Sequence, residues 1–386
     1  MSEIWMHRAD LSEQAINERH SSRLWGIPKT NLAVVAWPPS TKEKLFYRWH
    51  YWWQAHYLDC LVDATLRRSS KTRKAMIRHT IAGIRLRNLG KLTSNNYYDD
   101  KTWLALALER AREVQKGPRK FIRTLEANIG EGVDEFAGVL PWRTGENFFN
   151  VPTNGPAAIM LARRGLVDEA RQLIDWVFET LIDERGLVMD GVRMSMHGPQ
   201  TVKYIFPYNQ GTVIGACVEI ALALQQRGQA DEAVEYLSHA RALIHVVAKE
   251  MANDKGVIDW DTGDGDGGLF KGILVRYLAD AAVRLPSDNE AGRAAKKIAQ
   301  RLVMASAESV WNHRLEVDGL PVFATAWIED ARLPHNYGVG ASTISDLVRV
   351  VRIDERDLSV QLSGWMLMEA AARLSQVEDE AHNTSE

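Results

Sequence analysis

The chain has 386 residues, with 47 Lys and Arg against 50 Asp and Glu, a formal net charge of -3, and 46% hydrophobic residues. That near-balance argues against a nucleic-acid binder, which carries a basic excess, while the apolar content suffices for a large buried core. No apolar stretch is long enough to span a bilayer, and Met1 to Arg8 has neither a basic start nor an apolar run of signal-peptide type, so the expectation is a soluble, cytoplasmic protein.

In chain order, residues 9–24 read as a leading helix, and 26–39 as an irregular stretch punctuated by Pro28, Pro38 and Pro39. Ser40 or Thr41 caps a long helix reaching about Leu66, in which Cys60 reads as a buried free thiol; a basic amphipathic helix covers 72–89. The helix expected over 101–116 opens Trp103, Leu104, Ala105, Leu106, Ala107, Leu108, apolar on every face and therefore buried on every face. An amphipathic helix over 119–131 follows. The alternation repeats: an apolar helix from about Asn154 to Leu161 and an amphipathic one over 167–183. Next come an apolar run after Asn209, through Cys217, and a striped helix over 230–250. The segments 270–282 and 288–313 pair in the same way, as do 340–351 and 356–376, and 379–386 reads as a disordered tail. No strand pattern is evident.

The helices of buried type begin near 41, 100, 154, 209, 268 and 340. Such a period marks a repeat of helical hairpins. Turns within a hairpin are short, whereas the connectors 90–99, 132–153, 184–208, 253–267 and 315–339 are long, and long loops in compact domains are usually functional. Antiparallel hairpins put those loops at one end. The expected architecture is all-α, a single-domain (α/α)6 toroid of six hairpins with the first 40 residues as a lead-in; an open solenoid is the alternative.

Between a connector and the most apolar helix lies Asn95-Asn96-Tyr97-Tyr98-Asp99-Asp100. An Asp before an apolar run is often only a helix cap. Two adjacent carboxylates are also the minimum apparatus for glycosidic cleavage, one protonating the leaving oxygen and the other attacking or activating water. The same rim gathers Trp142, Arg143, Glu146, Phe148, Phe149, Asn150, Asp190, Tyr204, Tyr208, Asn209, Gln210, Asp259, Trp260, Asp261, Asp264, Asp266, Lys271 and Trp327. Aromatic faces stack on pyranose C–H faces, and carboxylates and amides pair with hydroxyls. The segment 261–267 fails the calcium-loop pattern, because position 272 is Gly rather than Glu. No metal-ligand spacing of histidines, Ser-centred nucleophile motif or phosphate-cradling loop occurs, so neither metal nor cofactor is expected.

Asn96-Tyr97-Tyr98-Asp99-Asp100 with Trp103-Leu104-Ala105-Leu106-Ala107 resembles the paired-aspartate motif of glycoside hydrolase family 76, the endo-α-1,6-mannanases. Tyr208-Asn209-Gln210-Gly211 resembles the family's YNQG segment, Asp264-Gly265-Asp266-Gly267-Gly268-Leu269-Phe270-Lys271-Gly272 its DGDG…FKG segment, and Gly186 to Gly191 the stretch before YNQG. The resemblance runs in order over roughly 50–375. It implies an (α/α)6 barrel and hydrolysis of α-1,6-mannan with retention, Asp99 being the nucleophile and Asp100 the general acid/base. It also implies substrate contacts from Tyr98, Trp142, Asn150, Asp190, Tyr208, Asn209, Gln210, Asp264, Asp266, Phe270 and Lys271. Where many members carry GGxxW, this chain reads Phe136 to Gly145, a loop that would reshape subsites. The alternatives are another (α/α)6 enzyme of the sugar-epimerase type, which would use histidine pairs, or a non-catalytic glycan-binding or scaffold protein.

Overall fold

A computed structural model describes residues 2–117, 119–334 and 353–383. Its helices are α1 (Ser2–Arg19), α2 (Thr41–Lys44), α3 (Tyr51–Arg67), α4 (Lys71–Arg87), α5 (Tyr98–Val114), α6 (Arg119–Gly130), α7 (Val151–Arg163), α8 (Val167–Thr180), α9 (Pro207–Gln226), α10 (Ala230–Glu250), α11 (Phe270–Arg284), α12 (Glu290–Asn312) and α13 (Leu358–Asn383). The helices buried on most faces form the inner ring. α3, α5, α7, α9, α11 and α13 pack each against the next, and α13 against α3 closes the circle. α4, α6, α8, α10 and α12 back the first five on the outside. The result is the (α/α)6 toroid expected from the periodicity.

The sixth hairpin differs from expectation. The segment read as its outer member, 356–376, is the inner helix α13, and its outer partner is α1, from the opposite end of the chain. Trp5, Ala9 and Ile16 of α1 are buried, so the lead-in is the piece that completes the outer layer. The other proposed member, 340–351, lies outside the described residues. α13 continues to Asn383, into the stretch read as a tail. The helix expected over 41–66 is two: Ser40 caps α2 through a capping box with Glu43, and Phe46 and His50, at φ 56° and 44°, turn the chain before α3.

Strands exist that the sequence did not signal. β1 (Ser21–Ser22) pairs with β2 (Leu32–Ala33). β3 (Phe148–Asn150), β4 (Met189–Ser195) and β5 (Gly198–Ile205) form an antiparallel sheet on the rim, and β6 (Leu315–Val317) pairs with β7 (Leu320–Val322). Most are two or three residues long. The β4–β5 hairpin is exposed on both sides towards its tip, so it lacks the alternation that marks a half-buried strand.

Two motif glycines serve the ring. A Cβ on Gly211 would stand 2.8 Å from Leu274 Cα, and one on Gly272 2.7 Å from Ser363 Cα, so α11 packs backbone-close against both neighbours. The second halves of the inner helices surround an axial cavity of about 820 Å³, beneath His56 and Trp103. Its lining is ionic. Arg276 bridges Asp59 and Asp63 at 3.0 and 2.7 Å, and Arg110 spans the same two carboxylates from the other side. Glu219 takes Arg163 and Arg284, at 2.7 and 2.6 Å. Cys60 and Cys217 are buried free thiols.

Candidate active site

Asp99 and Asp100 sit in the first turn of α5, not in a loop before it; Tyr97 is the N-cap and makes no side-chain cap bond. Asn95 Oδ1 accepts the Tyr97 N–H at 2.9 Å, which bends the chain into the helix. Backbone bonds from Tyr98 N to Trp142 O and from Thr144 N to Asn96 O tie the 141–146 loop to this turn. They bring the Trp142 indole onto Asp99, Nε1 donating to Oδ2 at 2.9 Å. Oδ1 of Asp99 accepts the Asp100 N–H at 2.8 Å, so it satisfies one of the helix's free N–H groups, as the capping reading anticipated. Asp100 Oδ2 accepts Asn95 Nδ2 at 2.5 Å.

A third carboxylate faces the pair. Asp266, in the short turn Gly265–Leu269 that leads into α11, accepts the indole N–H groups of Trp52 and Trp53 on one oxygen, Oδ1, at 2.9 and 2.8 Å. Among the described residues, the hydrogen-bond donors to these three acids are thus neutral. Burial, then mutual repulsion, push Asp99 well above the usual carboxylate range. Burial pushes Asp100 up to about 7, with the Asn95 bond opposing and the Asp266 charge adding. The pair therefore holds a proton near neutrality. Two N–H donors on Asp99 oppose that rise and one does so on Asp100, and the two raised carboxyls share the proton between them. One ionised and one protonated carboxyl is the combination that glycosidic cleavage requires.

Around the pair, Tyr208 stacks on Phe270 with ring centroids 4.1 Å apart and planes 19° from parallel. Burial raises the Tyr208 phenol well above its usual value, with the charges of Asp190, Asp99 and Asp266 adding. Asp190 is buried on β4 and accepts Asn209 Nδ2 at 3.4 Å; burial lifts its carboxyl to about 6, against the Asn209 bond. Asn150 Oδ1, Thr153 Oγ1 and Asn209 Oδ1 are buried and have no hydrogen-bond partner among the described residues. Polar atoms buried unpaired are rare in folded proteins. Tyr98 is buried under the helix start, its ring 3.8 Å from Lys101 Nζ and in the way of any Cβ at Gly132, so it packs rather than lines the opening.

Other expected contacts are engaged elsewhere. Gln210 is fully buried, and its amide exchanges bonds of 2.8 Å each way with the Val188 backbone. The fourth residue of other inner helices does the same: Gln54 with Ala33, Asn154 with Leu140, and Gln361 with Phe323. These amides imitate a strand neighbour and hold the rim loops at fixed height. Asn154 and Asn209 both lie inside helices, past the cap position. Lys271 turns away from the pair, Nζ donating to Thr325 O at 2.7 Å and lying 5.2 Å from the Trp327 ring centroid. Burial lowers its ammonium to about 8, against the Asp259 and Asp261 charges. Asp264 stands at the start of the turn that carries Asp266, its carbonyl accepting the Gly267 N–H.

Sequence reasoning left out Asn95, Trp52 and Trp53 as site residues. Trp52 and Trp53 fall inside the long helix read to Leu66, and the only available signal was two indoles side by side in it. The acids of 261–267 do not converge: among the described residues, no group of three or more His, Cys, Asp or Glu side chains could hold a metal. Nor, among those residues, is any helix long and apolar enough to cross a membrane.

Against known structures, an α-1,6-mannanase from Salegentibacter sp. HEL1_6 superposes with a TM-score of 0.76 at 27% identity, covering 95% of this chain and 99% of that one. An inactive variant of the same enzyme, with two adjacent aspartates changed to asparagine and α-1,6-mannotriose bound, matches equally well at 26% identity, with the same coverage. The Lin0763 protein from Listeria innocua shares the fold, with a TM-score of 0.76, 24% identity and coverage of 97% and 98%. No curated protein matches the sequence. The model of glycosyl hydrolase family 76 matches residues 29–344; with a ring of inner helices presenting paired carboxylates at its rim, the chain belongs to that family of glycoside hydrolases.

Proposed function

We propose that this glycoside hydrolase cleaves α-1,6-linked mannosides with retention, Asp99 acting as nucleophile and Asp100 as general acid/base. The carrying observation is the unequal bonding of two adjacent buried carboxyls, two N–H donors on Asp99 against one on Asp100. Asp100 gives its proton to the glycosidic oxygen as an Asp99 oxygen bonds to the anomeric carbon and the bond to the leaving sugar breaks. Asp100, now ionised, takes a proton from water, and the resulting hydroxyl displaces Asp99. The helix N-terminus stabilises the Asp99 anion at the start and end of the cycle. The choice of mannan rests on similarity to the mannanases. It is supported by the bound mannotriose in a relative inactivated at two adjacent aspartates, since Asp99-Asp100 is the only adjacent pair of aspartates in this sequence.

The test is product analysis with α-1,6-mannooligosaccharides. Wild type should release shorter mannosides with the α-anomer first. Asp99→Asn and Asp100→Asn, folded by circular dichroism, should each lose about 10⁴-fold in kcat. Release of the β-anomer would replace the double displacement with a single one, and retained cleavage in either variant would return the pair to the role of helix cap.

A further inference from the structure

The aromatic wall of the site does not stop at Tyr208 and Phe270. Phe206 packs on both, with centroids 5.9 and 5.2 Å away, and Tyr204 lies over Phe206 at 6.0 Å with its plane only 25° off parallel. Exposure rises along this line: Tyr208 is buried, Phe206 half-buried, and Tyr204 68% exposed. Strand register explains how the line is kept straight. Met189 pairs with Ile205 and Gly191 with Val202, so Asp190 faces two residues, Lys203 and Tyr204, across a β-bulge. Successive side chains alternate across a strand, and directly paired residues share a side. Tyr204, next to Ile205, therefore falls on the side of Asp190, which is next to Met189. Without the extra residue Tyr204 would point away from the site. Bulges re-aim side chains beside active sites in this way.

A core role does not explain an aromatic ring that is two-thirds exposed at the end of such a line. A buried ring gains from covering; this one is steadied by one neighbour and open elsewhere. From the bulge, the line of rings and the graded exposure, we infer that Tyr204 is an outer sugar platform, so that the enzyme favours chains long enough to reach it. This rests on the mannoside reading above and deepens it: the β4–β5 hairpin is a chain-length selector. The fully exposed Met196 at its tip lies beyond the line and plays no part.

The experiment compares kcat/KM for the shortest α-1,6-mannooligosaccharide that wild type cleaves with that for one three sugars longer. Tyr204→Ala should lower the value for the longer substrate about 3–10-fold, mostly through KM, and leave the shorter one within about twofold. Tyr204→Phe, which keeps the ring, should retain wild-type values for both. An equal loss on both lengths would mean that the ring only braces the hairpin and would overturn the inference, as would an unchanged value for the longer substrate. Both of those results leave the mannoside reading standing. Failure of wild type to cleave any α-1,6-mannoside would remove that reading and this inference with it.

Discussion

Around the Asp99-Asp100 pair, carboxylates face indoles, amides and one another; in the axial cavity beneath it, Asp59, Asp63, Glu219 and Asp280 face guanidinium groups. Asp100 illustrates the first environment: burial lifts its carboxyl to about 7. Asp59 illustrates the second: burial pushes it up as well, but Arg110 and Arg276 more than offset that and hold it below its usual value. Asp280 behaves likewise, kept low against burial by Arg284, Arg373 and Arg163. Both ends are partly withdrawn from water, so burial alone does not separate them. The partners do. Asp59 and Asp280, given full positive charges, are held as anions and become part of the frame, whereas burial still outweighs Arg67 at Glu369 and raises its carboxyl. A carboxylate given only neutral N–H donors stays poised to exchange a proton. Helix direction adds to the division: inner-helix N-termini favour anions at the rim, and their C-termini favour the arginines gathered at the base.

The same chemical change should therefore have opposite consequences at the two ends. The largest effect is expected at the base. Asp59→Asn would leave Arg110 and Arg276 sharing Asp63, with too little negative charge between them, and should cost about 3–5 kcal/mol of stability in a denaturant titration. A cost under about 1 kcal/mol would show that the cavity is wet enough to screen these pairs and would dissolve the contrast. Smaller, and of reversed sign, is the effect at the rim. Asp100 is an acid whose folded pKa exceeds its unfolded value of 3.8. Its ionisation therefore weakens the fold progressively as pH rises from about 4 to about 7. Asp100→Asn removes that penalty and should stabilise the inactive protein by about 1–2 kcal/mol at pH 7.5, with the gain vanishing near pH 3 in melting experiments. Destabilisation at pH 7.5 would mean that the carboxylate is better served by its surroundings than its neutral neighbours suggest.

The subtlest test sharpens the rim itself. The proposed acid/base role needs the Asp100 proton, so kcat/KM should fall above about pH 7. The Asp266 charge helps to hold that proton. Asp266→Asn should therefore move the alkaline limb of the pH profile downwards, by up to about one unit, with any change in KM read separately. A limb that stays in place would show that Asp266 serves the substrate or the two indoles and leaves the pair untouched.

The polar clamps show why the rim was harder to read than the ring. Gln210 stands within a motif beside Tyr208 and Asn209, and its residue type suits a sugar hydroxyl equally well. Only its seat at the fourth position of α9, facing the Val188 backbone, makes it a loop anchor. Asp266 conversely looked like one acid among several in a glycine-rich turn, and it is the indoles of a helix more than 200 residues away in the chain that single it out.

The sequence by itself determined the ring and its chemistry-bearing end. Helices apolar on all faces must be surrounded, amphipathic partners must cover them, and long loops separated by antiparallel hairpins must gather at one end. These are local patterns repeated with a period, and they need no knowledge of neighbours. The Asp99-Asp100 pair was legible for the same reason, as two acids fixed next to each other in the chain. Tertiary structure alone decided how the ring closes. The hydrophobic residues of α1 have no address in the sequence, and they find α13, which among the described residues has no outer partner adjacent to it in the chain. It also decided the bonding that separates Asp99 from Asp100, the indole pair on Asp266, and the bulge that turns Tyr204 towards Asp190. Each of these depends on groups distant in the chain meeting within hydrogen-bond or van der Waals range, which is set by packing and not by the pattern of any one segment.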